Sequence, residues 1–264
     1  MNFANLEISI LIPAFLAGML VLATHVPLGQ QVLNRGIVFI DLAIAQVAGL
    51  GVTAASFFGF DAEGWRVQVA AVGAALIGAL LLTWTEKIWP EVQEALIGVL
   101  FVVAACVELL LLANNPHGGE HLKDLLVGQI LWVQPQALIP VAILYVIALL
   151  AWFTVRRFIG QIGFYVLFAL VVTQSVQLVG VYLVFASLII PALAAKRFAE
   201  PLRLVVGYAV GITGYVAGLV ASSLFDLPTG AVIVVALLGV MILAALAASV
   251  APRSLRAGPA PALP

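Results

Sequence analysis

Apolar residues fill this chain in long runs, separated by short stretches of glycine, proline and charged residues. The runs cover roughly 8–28, 37–59, 66–88, 93–113, 137–155, 162–195, 203–224 and 230–250, most of them near the ~20 residues that cross a bilayer as a helix. The sixth is too long for one crossing. Gly180 and the polar group Thr173 to Gln177 divide it, which predicts a full helix followed by a shorter, broken one. Between the fourth and fifth runs, "EHLKDLLVGQILWVQP" is too polar and too short to cross, and its leucines recur at helical spacing. That suits an interfacial or re-entrant helix. The pattern predicts an all-α integral membrane protein of about eight transmembrane helices plus a half-span. All of it lies in one polytopic domain over residues 1–252, with a disordered cytosolic Pro/Ala tail over 253–264.

Composition agrees with the pattern. Of 264 residues, 64% are hydrophobic and 9% charged, and the mean hydropathy is +1.22, whereas soluble domains carry about 25% charged residues. With a net charge of −1 and no basic patch, nothing suggests nucleic acid. The single cysteine, Cys106, excludes a disulfide framework and a cysteine-based zinc site. The start, "MNFANLEISIL", lacks the basic opening and cleavage site of a signal peptide, so the first run is expected to be a retained span.

Lysine and arginine give the orientation. Arg156 and Arg157, then Lys196, Arg197 and Arg203, then Arg253 and Arg256 mark three cytosolic regions. The loops at 114–136 and 226–230 then face outward. Arg35 alone does not decide the direction of the first span. Trp65, Trp84, Trp89, Trp132 and Trp152 lie at or near run ends, as an interfacial belt would. Gly207, Gly211, Gly214 and Gly218 form a small-residue stripe for close helix approach, within the subunit or across a dimer seam.

Against this background a few polar residues stand out, because an unpartnered polar group in lipid costs several kcal/mol. Asp41 and Gln46 interrupt "GIVFIDLAIAQVAGLGV" (36–52), and Glu108 sits deep in the fourth run. His117, Glu120 and His121 fall within five residues on "HGGEH", where imidazole and carboxylate suit zinc. The alternative for that loop is plain solvation. Thr173, Gln174 and Gln177 could line a water-filled cavity beside Gly180. No GxxxxGK[ST] loop is present, so ATP hydrolysis is not expected of this chain. HExxH and GxSxG are missing too. Single polar residues spread over several spans suit transport better than catalysis.

Five stretches then carry a resemblance. They are "HVPLGQQVLNRGIVFIDLAIAQVAGLGV" (25–52), "EALIGVLFVVA" (94–104), "HLKDLLVGQILWVQP" (121–135), "QLVGVYLVFASLIIPALAA" (177–195) and "FDLPTGAVIVV" (225–235). In order and spacing they resemble the membrane permeases of bacterial ABC importers for zinc, manganese and related divalent metals. The resemblance implies a homodimeric permease in the bacterial inner membrane, non-catalytic itself. It implies a cytosolic ATP-binding subunit, an extracytoplasmic metal-binding protein and a transported divalent metal, zinc most of all, with manganese or iron also open. No permanently bound cofactor is implied.

In the family's first block an aspartate precedes a histidine by four residues. Aligning Phe39 and Gly51-Val52 places Gln46 on that histidine and Leu42 on the aspartate, so Asp41 stands one residue early. On a regular helix Asp41 and Gln46 then differ by about 140°. Either Asp41 caps a helix start and Gln46 bonds a neighbouring helix, or Asp41 supplies charge and Gln46 an oxygen to a metal pathway. A second departure is "VRRFIGQIG" (155–163), shorter than the family's polar coupling stretch. That leaves Arg156, Arg157 and "AKRFAEPLR" (195–203) as expected ATPase contacts. An ATP-independent cation channel or secondary carrier is the alternative function, and an intramembrane enzyme using Asp41 and Glu108 a remoter one.

Overall fold

The computed structural model describes residues 8–60, 64–112, 123 and 126–250. The helices are α1 (Ile8–Arg35), α2 (Ile40–Phe57), α3 (Trp65–Ile88), α4 (Gln93–Leu112), α5 (Pro135–Thr154), α6 (Gly160–Val179), α7 (Val181–Ala195), α8 (Arg203–Phe225) and α9 (Thr229–Val250). Lipid offers no hydrogen bonds, so the spanning backbone must satisfy itself, and helices do this. Among the described residues eight helices are long and apolar enough to cross a membrane: α1 to α6, α8 and α9. The fifteen-residue α7 is the half-span.

Two glycines make the sharp bends. Gly160, with φ 58°, turns the chain between α5 and α6. Gly180, with φ 82°, ends α6 and starts α7. The sequence reading divided this run at Gly180 and at Thr173–Gln177 together; the glycine alone makes the break, and α6 stays helical through Val179. Thr173 donates to the Ala169 carbonyl at 2.7 Å, and Ser175 to the Val171 carbonyl at 2.9 Å, so both stay within the helical ladder. At the same junction Gly128, φ 69°, lies backbone to backbone against Gly180, and Gly230 lies against the Val127 carbonyl. A side chain has no room at either Gly128 or Gly180.

The cationic ends gather on one side. The Arg35 guanidinium lies 4.2 Å from the centre of the Phe164 ring. Leu33 and Asn34 share a cleft with Trp152, Lys196 and Arg203. Taking this as the cytosolic side, α1 runs from outside to inside, and the alternation of the later helices follows. Trp65, Trp84, Trp89 and Trp132 are exposed as a belt requires, but Trp152 is buried against Phe164, with ring centres 5.9 Å apart. It belongs to the core, because α6 folds back over it after Gly160.

Two packed groups result. One joins α1, α7, α8 and α9, and the other joins α2, α3 and α4, with α5 and α6 between them. The α8 glycines serve packing within the subunit. Gly207 and Gly211 meet Val26 and Leu22 of α1, while Gly214 and Gly218 meet Leu237 and Ile233 of α9.

Gly128→Ala should lower stability by about 2 kcal/mol or more, since it combines a positive φ with overlap of neighbouring backbone. Gly73→Ala, on an open face of α3, should be neutral or stabilising by up to about 1 kcal/mol. Thermal unfolding of the two purified variants in detergent measures the contrast.

Candidate metal pathway

The centre of the second group is α2. The α1–α2 connection is only four residues long, and α2 begins without a cap of its own. Phe39 is its N-cap, and no side-chain cap bond forms there. The cap comes instead from α4, where Glu94 accepts from the Phe39 amide at 3.2 Å. Exposed helix amides attract a carboxylate through both hydrogen bonding and the helix dipole. Phe39 also stacks on Phe185 of α7, with ring centres 6.4 Å apart.

Asp41 therefore has no capping task. It lies in the first turn of α2, is 1% exposed, and neither carboxylate oxygen has a hydrogen-bond partner. Such a group is costly in a dry interior, and nothing in the packing around it accounts for that cost. Asp41, Ala45 and Gly49 succeed one another at four-residue spacing, so they share one face of α2.

That face leads to the other polar residues. Gln46 and Glu108 meet across the α2–α4 interface, 5% and 1% exposed. The Gln46 amide Nε2 donates to Glu108 Oε2. Thr53, two turns further along α2, donates from Oγ1 to Glu108 Oε1 at 2.8 Å. Each carboxylate oxygen thus accepts a hydrogen bond from α2. Beside them is a small cavity lined by Ala45, Gln46, Gly49, Glu108, Leu126, Val176 and Val181. Its walls come from α2, α4, α6, the N-terminus of α7 and the segment before Gly128. It therefore lies where the two packed groups meet, against Val181, the residue that follows the Gly180 break.

The sequence-derived candidates separate accordingly. Gln46 and Glu108 come together, and Asp41 lies one helical turn along the cavity-lining face, bonded to neither. His117, Glu120 and His121 lie outside the described residues. Among the described residues no group of three histidine, cysteine, aspartate or glutamate side chains could hold a metal. Among the described residues Glu108 is the one ionisable residue lining the cavity. Thr53 was missed by the sequence reading, although Gln46, Gly49 and Thr53 at i, i+3 and i+7 form one face of α2. His25, fully buried on α1, was also passed over; its Nδ1 is 2.9 Å from the Val21 carbonyl and its Nε2 has no partner.

Comparison with known proteins gives a consistent picture. The model of the ABC 3 transport family matches residues 7–162 and 157–248, two stretches that overlap in the short link between α5 and α6. The chain is 25% identical over 247 residues to the high-affinity zinc uptake system membrane protein ZnuB of Haemophilus influenzae, covering 86% of this chain and 93% of that protein. In fold it is similar to PsaBC from Streptococcus pneumoniae, with a TM-score of 0.71, 22% identity, and coverage of 93% and 91% of the two chains. A metal-chelate type ABC transporter in an inward-facing conformation matches with a TM-score of 0.62 and 17% identity, over 88% of this chain and 85% of that one.

Glu94→Ala leaves the first amides of α2 without their acceptor and should cost about 1 kcal/mol, whereas Glu94→Gln, which keeps an acceptor oxygen, should cost less than half of that. Denaturation midpoints of the two variants give the comparison.

Proposed function

The chain belongs to the ABC 3 transport family and is a multi-pass protein of the bacterial inner membrane, and from that premise we propose that it is the permease subunit of an importer for a divalent metal ion. The observation that carries the reading is the buried contact of Glu108 with Gln46 and Thr53 beside a cavity at membrane depth. A carboxylate in that position marks an ion path far more often than a structural tie. Asp41, unpartnered on the same α2 face nearer the cytosolic end, is the next group a cation would meet. In this reading metal is handed over by an extracytoplasmic binding protein and passes Glu108 and then Asp41 to the cytosol.

The energy comes from elsewhere. The sequence holds no phosphate loop, so a separate cytosolic ATPase drives transport, acting on a homodimer of this chain. Arg156 and Arg157, in the short link between α5 and α6, together with the loop at 195–203, form the surface on which it docks. Zinc is supported by the name of the Haemophilus relative. Manganese suits the oxygen ligands around Glu108. The outer-loop residues His117, Glu120 and His121 fit a role in receiving metal.

Glu108→Gln and Asp41→Asn remove charge at nearly constant volume. Each should lower metal-dependent uptake at least tenfold, a barrier of about 1.4 kcal/mol, with normal expression. Uptake into proteoliposomes carrying the complete transporter measures this, and unchanged rates in both variants would return these residues to a structural role. Separately, the double change Arg156→Glu and Arg157→Glu should weaken co-purification of the ATPase while leaving the thermal stability of the membrane subunit intact. Normal co-purification would move the docking surface away from this link.

A further inference from the structure

The ends of α1, α5, α7 and α8 enclose a cleft of about 130 Å³ on the cytosolic side. Two cations line it, Lys196 at the end of α7 and Arg203 at the start of α8. Arg203 is oriented by its Nε, which donates to the Phe198 carbonyl at 3.3 Å. A guanidinium carries five N–H donors, so four remain on its terminal nitrogens. Among the described residues neither cation has a carboxylate within salt-bridge distance. Glu200 also lines the cleft, as an exposed residue, so two positive charges stand against one negative. The end of α7 and the start of α8 meet here with opposed dipoles, which leaves the sign of the cleft to these side chains.

Gln30 brings a third donor. It lines the cleft from α1, and its Nε2 is buried without a hydrogen-bond partner. A buried donor left unbonded is costly. The last torsion of a glutamine is soft, so the amide turns readily toward an acceptor placed in the cleft.

Depth decides what that acceptor is. Gln30 lies five residues before the end of α1, about 7–8 Å in from it at 1.5 Å per residue. Phe153 belongs to the α5 span and is exposed. The headgroup layer of a bilayer is about 5–8 Å deep on each side, which is the level of the cleft. Leu33 and Phe153 supply apolar walls beside the cations, suited to the first carbons of an acyl chain.

We propose that this cleft binds the phosphate of an anionic phospholipid of the cytosolic leaflet, held by Lys196 and Arg203 with the Gln30 amide as third donor. Arginine grips a phosphate through paired N–H groups, and lysine adds a point charge. Basic pockets between spanning helices on the cytosolic side suit such headgroups. The surplus of one positive charge matches the single negative charge of phosphatidylglycerol, whereas a choline headgroup brings a cation that Lys196 and Arg203 repel. Lys196 and Arg203 stand at the two ends of the 195–203 loop, so its middle stays available to the ATPase.

Native mass spectrometry of the purified full chain, in detergent holding equal amounts of phosphatidylglycerol and phosphatidylcholine, tests this. The chain should retain phosphatidylglycerol at least about fivefold over phosphatidylcholine, the preference that one net basic charge confers at a membrane surface. Lys196→Gln together with Arg203→Gln should bring that preference below about twofold. Lys196→Gln alone, at an exposed position, should halve it and guards against misfolding of the double variant. Glu200→Gln removes the opposing charge and should raise phosphatidylglycerol retention about twofold or more, a gain that damage to the fold does not produce. Equal retention of the two lipids by the native chain, or an unchanged preference in the double variant, overturns the site. Displacement of the lipid by millimolar inorganic phosphate assigns the cleft to a soluble anion, and displacement by the ATPase subunit assigns it to the docking surface; either result overturns the lipid.

Discussion

Inside a bilayer a polar group has only the protein to bond with, and that constraint shapes nearly every feature of this chain. It makes the backbone helical wherever lipid is near. It confines the exceptions to places where another segment covers them, as the backbone around Gly128 covers the Gly180 break. It also makes each buried polar side chain informative, because its partner must be another part of the same molecule or something carried through it. Most hydroxyls settle the matter within their own helix. The tyrosines do so between helices: Tyr145 meets Ser175, and Tyr215 meets Ser187 at 2.8 Å. Asp41 has no such settlement, and Glu108 accepts from two side chains of α2.

Much of this was legible in the sequence, for physical reasons. The crossing helices follow from run length, since the hydrocarbon thickness fixes how many apolar residues are needed. The half-span followed from a run too long for one crossing that contained a glycine. Asp41, Gln46 and Glu108 were visible because each breaks an otherwise apolar stretch. The link between the last two was not visible, because it joins residues 62 apart and depends on how α2 and α4 lean together. Thr53 was hidden for a different reason. Threonine is common in membrane helices and normally silent there, so only its neighbour across the interface reveals that it bonds outward.

Other features were misplaced for equally local causes. Trp152 looked like a belt residue from its position at a run end, but the bend at Gly160 brings α6 over it. A helix cap was one of the two roles open to Asp41, because aspartate so often serves as one, and no side-chain cap bond forms there. The helix starts two residues earlier than such a cap requires, and its free amide is answered by Glu94 from a distant part of the chain. Helix ends in this molecule are settled by tertiary contacts as much as by neighbouring sequence.

The α8 glycines carry a mechanical consequence. Because Gly207 and Gly211 seat α1 while Gly214 and Gly218 seat α9, α8 is gripped along about three of its turns, by α1 nearer its start and by α9 nearer its end. Backbones this close cannot slide past one another without steric collision, as the ridges of each neighbour sit in the notches of the other. The three helices therefore behave as a single keyed shaft. The cavity lies outside this shaft, with walls from α2, α4, α6 and the start of α7. The molecule thus sets a stiff unit beside the cavity rather than around it.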